Sequence, residues 1–115
     1  MTECQIEDEN GIAHRTCSVD EILRLLVDSR RRTIISVLET TEENWIPLAE
    51  LVSECSSRES TAVDWHLELH HVHLPLLDDL GLADYDRHDE MIRYYQCELV
   101  SEILDIVDPE FKAQR

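Results

Sequence analysis

The sequence contains very little of several residue types. Lys112 is the only lysine, and the 115 residues include two glycines and three prolines. So few glycines and prolines exclude a collagen-like or low-complexity chain, and the 43% of hydrophobic residues is enough to bury a core. At this length we expect one domain, because two separate cores would each be too small.

Long apolar runs and local cysteine pairs are also missing. No run approaches the roughly 18 apolar residues of a membrane span, and residues 1–10 are polar and acidic with no signal-peptide pattern, so we expect a cytoplasmic protein. No CxxC pair is present, which in a reducing compartment favours free thiols over a disulfide framework or a zinc knuckle. The cysteines are Cys4, Cys17, Cys55 and Cys97.

Motifs for catalysis are absent as well. The sequence has no glycine-rich phosphate loop, no nucleophile elbow and no HExxH, and Asp78 and Asp79 are best interpreted as solvated surface carboxylates. We therefore expect neither enzyme activity nor a cofactor.

The most unusual feature that is present is the excess of acidic residues. Asp and Glu total 26 against 10 Lys and Arg, which gives a formal net charge of -16 spread over the whole chain. In molar salt the Debye length falls to about 3 Å, so a dense carboxylate surface is screened from self-repulsion and stays hydrated. The composition favours a halophilic protein over an ordinary acidic one.

The order of predicted elements indicates the architecture. Residues 1–17 have no sustained periodicity and are predicted to be a flexible acidic arm, residues 18–108 the domain, and residues 109–115 a C-terminal tail. Ser18 and Glu21 form a capping box at the start of the first helix, and Asp28 or Ser29 caps a second helix with Arg30–Arg32 in its first turn.

The remaining elements follow in the same way. Trp45 and Ile46 favour a short strand, and Pro47 is expected at the first position of a third helix that ends near Cys55. A helical stretch over Thr61–Leu80 is kinked or split by Pro75 and closed by Gly81 with Leu82. A hairpin over Leu82–Asp86 and Met91–Gln96 precedes an apolar helix at Glu98–Val107. This order predicts a mainly α fold with a small β-hairpin, a winged helix-turn-helix with a C-terminal dimerisation helix.

A resemblance to a known family supports the same fold. The stretch LELHHVHLPLLDDLGLADYD, Leu67–Asp86, together with the Arg-Tyr within Ile92–Tyr95, resembles a family of halophilic archaea whose members are winged helix-turn-helix domains of uncharacterised function. LLVDSRRRTIISVL, Leu25–Leu38, is similar to the opening helices of that family and to regulators of the arsenic-repressor type. The resemblance covers about Val19–Gln96 and implies the fold, but it carries no catalytic or ligand-binding residue.

The predicted function is transcriptional regulation through double-stranded DNA. In a winged helix, Arg58 and Arg87 contact the DNA backbone, Thr61 and Asp64 meet base edges near the helix start, and Arg93 lies on the return strand. Against this, the predicted helix is acidic on its outer side and would repel phosphates. The alternative is a protein–protein interaction module on a winged-helix scaffold that has lost DNA affinity.

Two further features leave alternatives open. His66, His70 and His73 follow helical spacing, which suits a metal site or a pH sensor, but histidines on an apolar side are more often core residues, and we predict no metal. The apolar side of Glu98–Val107 either packs on the first helix of its own chain or pairs with a second chain. A homodimer is the favoured alternative because two-fold symmetry is common among such regulators.

Overall fold

The computed structural model describes residues 3–7, 13–42, 44–58 and 64–107. The fold is mainly helical, with a three-stranded antiparallel sheet and a separate pair of strands. A π-helical turn at Leu69–His73 joins α4 to α5, so residues 65–79 form one continuous run, here called the 65–79 helix. In chain order the elements are β1 (Glu3–Glu7), β2 (Ala13–Ser18), α1 (Val19–Leu26), α2 (Ser29–Thr40), β3 (Ile46–Pro47), α3 (Leu48–Arg58), α4 (Trp65–Glu68), α5 (Leu74–Asp79), β4 (Ala83–Asp86), β5 (Met91–Tyr94) and α6 (Glu98–Val107).

The N-terminal segment differs from the prediction. Residues 1–17 were expected to lack regular structure, but β1 and β2 pair as antiparallel strands, with Glu3 opposite Ser18 and an irregularity between Ile6 and Glu7. The two strands have only 5 and 6 residues. An alternation of polar and apolar residues over so short a length cannot be distinguished from an irregular segment in the sequence.

The three-stranded sheet has the order β3-β5-β4, with both outer strands antiparallel to β5. Ile92 of the central strand pairs with Ile46 on one side and Tyr85 on the other, and it is fully buried. The predicted hairpin is thus confirmed, and β3 adds a short third strand.

The starts of α1 and α2 are capped as the sequence predicts. The Ser18 hydroxyl accepts the Glu21 N–H at 3.2 Å while the Glu21 carboxylate accepts the Ser18 N–H at 3.1 Å. Asp28 caps α2 by accepting the Arg30 N–H at 2.8 Å. Burial alone raises the pKa of Asp28, but the Arg30 N–H and the Arg31 guanidinium outweigh it and hold the pKa below its usual value.

We expect Asp28→Ala to lower the free energy of unfolding by about 1 kcal/mol at neutral pH, the usual value of an N-cap. Because the folded-state pKa is lowered, this contribution is complete above about pH 4 and is lost as the pH falls through the folded-state pKa. Urea unfolding of the wild type and the variant at several pH values measures the difference. A difference that stays constant into strong acid would contradict the assignment, and Asp20→Ala on α1 is the control.

The start of α3 differs by one residue from the prediction. Pro47 is the last residue of β3, not the first of a helix, and Leu48 begins α3 while its N–H donates to the Glu90 carbonyl at 2.8 Å. Successive residues of an antiparallel strand point their N–H groups to opposite sides. The Leu48 N–H points toward β5, so the Pro47 nitrogen faces the open edge of the sheet, where a missing N–H costs little.

The end of α3 also extends beyond the prediction. The helix continues past Cys55 to Arg58. Burial raises the pKa of the free Cys55 thiol to about 12, which makes it a structural and unreactive group.

Pro75 explains the break in the 65–79 helix. Proline has no N–H to donate to the carbonyl four residues earlier, and the π-helical turn at Leu69–His73 lies directly before the α5 turn that contains it. The expected helix end at Gly81 is confirmed, since its φ is 79°. The Gly81 N–H donates to the Asp78 backbone carbonyl at 3.0 Å, and the Leu82 N–H donates to the Leu77 backbone carbonyl at 2.9 Å. These two bonds form a Schellman motif.

The core lies among α1, α2, α3, the 65–79 helix, the inner side of the sheet and α6. Val100 and Leu104 of α6 are fully buried and α6 contacts α1, so packing on the first helix is observed. No helix within the described residues is long and apolar enough to span a membrane. The largest fully buried side chains are Ile22, Leu25, Ile34, Ile35, Leu48, Leu51, Leu69, Leu74, Leu77, Leu82 and Ile92.

One cysteine prediction is wrong. Cys97 is buried and disulfide-bonded, although the spacing of the cysteines favoured free thiols. Spacing reports only local pairs, whereas a disulfide joins residues that the fold brings together.

Candidate functional site

The exposed side of the 65–79 helix lies beside the turn at residues 87–90. His66 Nε2 is 3.5 Å from Glu90 Oε2, which connects the first turn of the helix to the hairpin. The exposed residues of this side, here called the helix face, are Asp64, His66, Leu67, His71, Val72, Asp78 and Asp79.

Two predicted DNA-binding arginines, Arg58 and Arg87, are exposed. Arg58 ends α3 and Arg87 lies in the hairpin turn. Asp64 is also exposed, but its carboxylate accepts the Leu67 N–H at 3.1 Å and caps the helix. Thr61 lies outside the described residues.

Arg93 occupies a different position from these residues. It is opposite Asp84 in the hairpin, and its guanidinium carbon lies 5.2 Å from the centre of the Tyr95 ring. The Tyr95 hydroxyl donates to Asp84. Arg93 is therefore half-buried in a small cluster on the outer side of the sheet.

The helix face is acidic and apolar. The sequence has no lysine or arginine between Arg58 and Arg87. Leu67 is 53% exposed and Val72 is 51% exposed. The exposed acidic residues of the same face are Asp64, Asp78 and Asp79. Such a composition repels phosphates and presents apolar surface of the kind that protein partners cover.

The arginines in the first turn of α2 have structural roles. Arg30 pairs with Glu68 at 2.5 Å. Arg31 Nε donates to the Leu25 carbonyl at 2.8 Å, and Arg32 Nη1 donates to the Leu26 carbonyl at 2.7 Å. These two side chains satisfy carbonyls at the end of α1, which would otherwise lack partners.

The histidines hold the 65–79 helix to its neighbours. His70 Nδ1 lies 2.7 Å from the Tyr85 hydroxyl of β4, and His66 faces Glu90. Burial, followed by the charge of Glu90, raises the pKa of Tyr85, which keeps its hydroxyl protonated. Within the described part of the chain, no group of three His, Cys, Asp or Glu side chains is arranged to hold a metal ion.

The role of Glu68 is not visible in the sequence. One of its oxygens pairs with Arg30, and the other lies 3.1 Å from Nε2 of His73, which is 2% exposed. The His73 Nδ1 has no hydrogen-bond partner among the described atoms. Glu68 therefore connects the exposed start of α2 to a buried side chain of the 65–79 helix.

The π-helical turn also changes which residues are buried. A uniform 100° per residue places Val72 on the same side as the buried Trp65 and Leu69, but Val72 is exposed. His66, which the sequence places on the apolar side, is also exposed, although it precedes the π-helical turn. A π-helical turn contains about one residue more than an α-helical turn, so the later residues are out of phase with a single helical wheel. Pro75 was the available signal for this widening.

Comparison with known proteins gives a family. Residues 23–93 match a family described as a domain of unknown function, DUF7344, and the chain belongs to that family. The match begins within α1 and ends within β5, so it includes the whole 65–79 helix. No curated protein and no solved structure matches the chain.

Proposed function

We propose that the chain is a winged helix-turn-helix domain that regulates transcription by binding double-stranded DNA as a homodimer. The observation that carries the proposal is the topology: α2, β3, α3 and the 65–79 helix precede the hairpin β4–β5, and β3 joins the sheet beside β5. In that arrangement the 65–79 helix is the recognition helix, and the 87–90 turn is the wing.

The contacts with DNA are assigned to the edges of the surface. Arg58 and Arg87 are exposed at opposite ends of the segment that lacks other cations, so they approach phosphates while the helix start meets base edges. Thr61, Asp64 and Arg93 complete the proposed set. The proposed function involves no covalent chemistry and no cofactor.

The acidity of the chain sets the conditions for binding. A net charge of -16 opposes approach to a duplex at low salt. In molar salt the repulsion is screened over about 3 Å, so we place the protein in a salt-adapted cytoplasm and expect DNA binding to be measurable there.

The homodimer is assigned to the outer side of α6. Val100 and Leu104 are buried in the core and Leu99 and Ile103 are half-buried against it; with Ile106, these last two follow the alternating four-and-three spacing of a coiled-coil seam. Ile106 is 78% exposed. A helix with a second apolar side gains stability when another helix covers it.

We expect Ile106→Glu to weaken the dimer by at least about tenfold, because it places an unpaired carboxylate in the proposed seam. Sedimentation equilibrium in molar potassium chloride measures the dissociation constant. Ser53→Glu adds the same charge on α3 and is expected to leave it unchanged. A wild-type protein that is monomeric at all concentrations would exclude this pairing.

The helix face favours a second candidate, a protein–protein interaction module. Exposed Leu67 and Val72 lie among carboxylates, and that combination fits a basic partner with apolar side chains. In this alternative the winged-helix scaffold has lost DNA affinity.

Recovery and sequencing of genomic DNA fragments bound in molar potassium chloride tests the first proposal. The wild type is expected to enrich defined sites, and Arg58→Glu/Arg87→Glu to lose them. Arg24→Glu, a charge reversal on the exposed last turn of α1, is the control that retains enrichment. If the folded wild type enriches nothing above background, DNA binding is excluded and the interaction module becomes the better account.

A further inference from the structure

The first turns of the 65–79 helix expose a short strip that contains no carboxylate. Over residues 65–77 the exposed side chains are those of His66, Leu67, His71 and Val72. These four residues are here called the central strip. Two of them are apolar and two are imidazoles, so the strip differs from the acidic ends of the helix face.

The carboxylates near the central strip are either engaged within the protein or displaced along the helix. Glu68 is the acidic residue of the segment 65–77, and both of its oxygens are paired. Asp64 uses its carboxylate as the helix cap. Asp78 and Asp79 begin six residues beyond the strip, which is about 9 Å along the axis at about 1.5 Å per residue. The repulsion of phosphates therefore arises at the ends of the face and not at its centre.

The segment around this helix also lacks the side chains that read purines in the major groove. No arginine or lysine lies between Arg58 and Arg87, and no asparagine or glutamine lies between Asn44 and Gln96. Arginine and lysine bind the edge of guanine through two hydrogen bonds, and asparagine and glutamine bind adenine in the same way. The feature of the major groove that an apolar side chain contacts is the 5-methyl group of thymine.

Leu67 and Val72 supply the apolar surface for such a contact, and each is about half exposed. The π-helical turn at Leu69–His73 has hydrogen bonds between residues five apart. It therefore brings Leu67 and Val72 closer to one side than a uniform α-helix would. Base edges are contacted by the N-terminal turns of a recognition helix, where both residues lie.

The hairpin turn places a cation near the same part of the helix. The Tyr85 hydroxyl lies 2.7 Å from His70 Nδ1. Burial and the charge of Glu90 raise the pKa of Tyr85, and the Arg87 guanidinium partly opposes them, so Arg87 lies near this hydroxyl. A cation for phosphates beside an uncharged strip for bases matches the usual division of contacts in DNA complexes.

We propose that the central strip reads thymine, with Leu67 and Val72 against the 5-methyl groups of two thymines in the major groove. The inference rests on the proposed DNA binding and adds a base preference to it: A·T pairs carry the sequence information that this helix detects.

Duplexes that differ only in the methyl group test the proposal. A library with a randomised centre is prepared in two forms, one with thymine and one with uracil in its place, since uracil keeps the pairing groups and lacks the 5-methyl group. The 115-residue chain selects duplexes from each library in molar potassium chloride. The enriched site is then synthesised with uracil at one thymine position at a time, and fluorescence anisotropy measures each dissociation constant.

We expect the wild type to bind about fourfold more weakly for each contacted thymine that is replaced, which corresponds to the burial of one methyl group. Leu67→Ala and Val72→Ala are expected to bind the thymine site more weakly, and each removes the loss at one uracil position. Leu23→Ala, at an exposed leucine of α1, is the matched control and keeps the full discrimination.

The possible contrary results are distinguishable. A selected site that contains no thymine, or that binds equally well with uracil, contradicts thymine readout and leaves DNA binding intact. A uracil effect that both Leu67→Ala and Val72→Ala retain contradicts the assignment to the central strip. Enrichment from neither library excludes DNA binding itself, and this inference with it, and leaves the apolar side chains to a protein partner.

Discussion

Leu77→Ala is expected to lower the free energy of unfolding by about 2–5 kcal/mol, the range for a buried leucine whose site cannot collapse. Leu77 is 1% exposed, and its backbone carbonyl accepts the Leu82 N–H that closes the helix. Leucine and alanine are both strong helix formers, so the loss measures packing and not helix propensity.

Leu67→Ala provides the matched comparison for this prediction. It is the same substitution on the same 65–79 helix at a side chain that is 53% exposed, and we expect a change within about 0.5 kcal/mol. Urea unfolding of both variants in molar potassium chloride makes the measurement. Equal losses at the two positions would contradict the orientation of this helix, and with it the identity of the helix face.

Glu68→Ala is expected to lower the free energy of unfolding by about 1–3 kcal/mol, although Glu68 is only half-buried. The cost arises at His73, which is 2% exposed and whose Nε2 would lose its 3.1 Å partner while Nδ1 already has none among the described atoms. Loss of the exposed ion pair between Glu68 and Arg30 contributes about 1 kcal/mol at most to this decrease.

Two variants separate the contributions to that loss. Glu54→Ala, on the exposed side of α3, is the control and is expected to change the free energy of unfolding by less than about 0.5 kcal/mol. Glu68→Gln keeps an oxygen near His73 and is expected to recover part of the loss. If Glu68→Ala behaves like Glu54→Ala, Glu68 does not hold the 65–79 helix against α2.

Local signals in the sequence were sufficient for most of the elements. The Ser18–Glu21 box, the Asp28 cap, the Gly81 ending and the apolar spacing of α6 each depend on residues a few positions apart, and the structure confirms all four. Interactions within a turn or two of helix are visible in a sequence because the backbone geometry fixes which residues meet.

Features that depend on the fold as a whole were not visible. The π-helical turn before Pro75 shifted the burial of Val72, and Arg31 and Arg32 satisfy carbonyls of a preceding helix instead of remaining available on the surface. The disulfide of Cys97 and the short pair β1–β2 were missed for the same reason, since each depends on which segments the fold places together.

The candidate site was predicted only in part from the sequence. The acidity of the 65–79 helix and the exposure of Arg58 and Arg87 follow from the sequence and agree with the structure. The cluster that holds Arg93 against Tyr95 does not follow from the sequence, because it depends on which segments the fold places together. The exposure of Val72 does not follow either, because it depends on the π-helical turn.

The most direct test of the account is to map the DNA-binding surface on the folded protein. A duplex recovered by the fragment experiment is titrated into ¹⁵N-labelled protein in molar potassium chloride while backbone amide signals are followed. We expect shifts at residue 58, at residues 64–72 and at the 87–90 turn, with α6 unaffected beyond its own dimer contacts. Shifts confined to other parts of the chain, or none at saturating duplex, would contradict the assignment of the 65–79 helix and the hairpin turn as the DNA-binding surface.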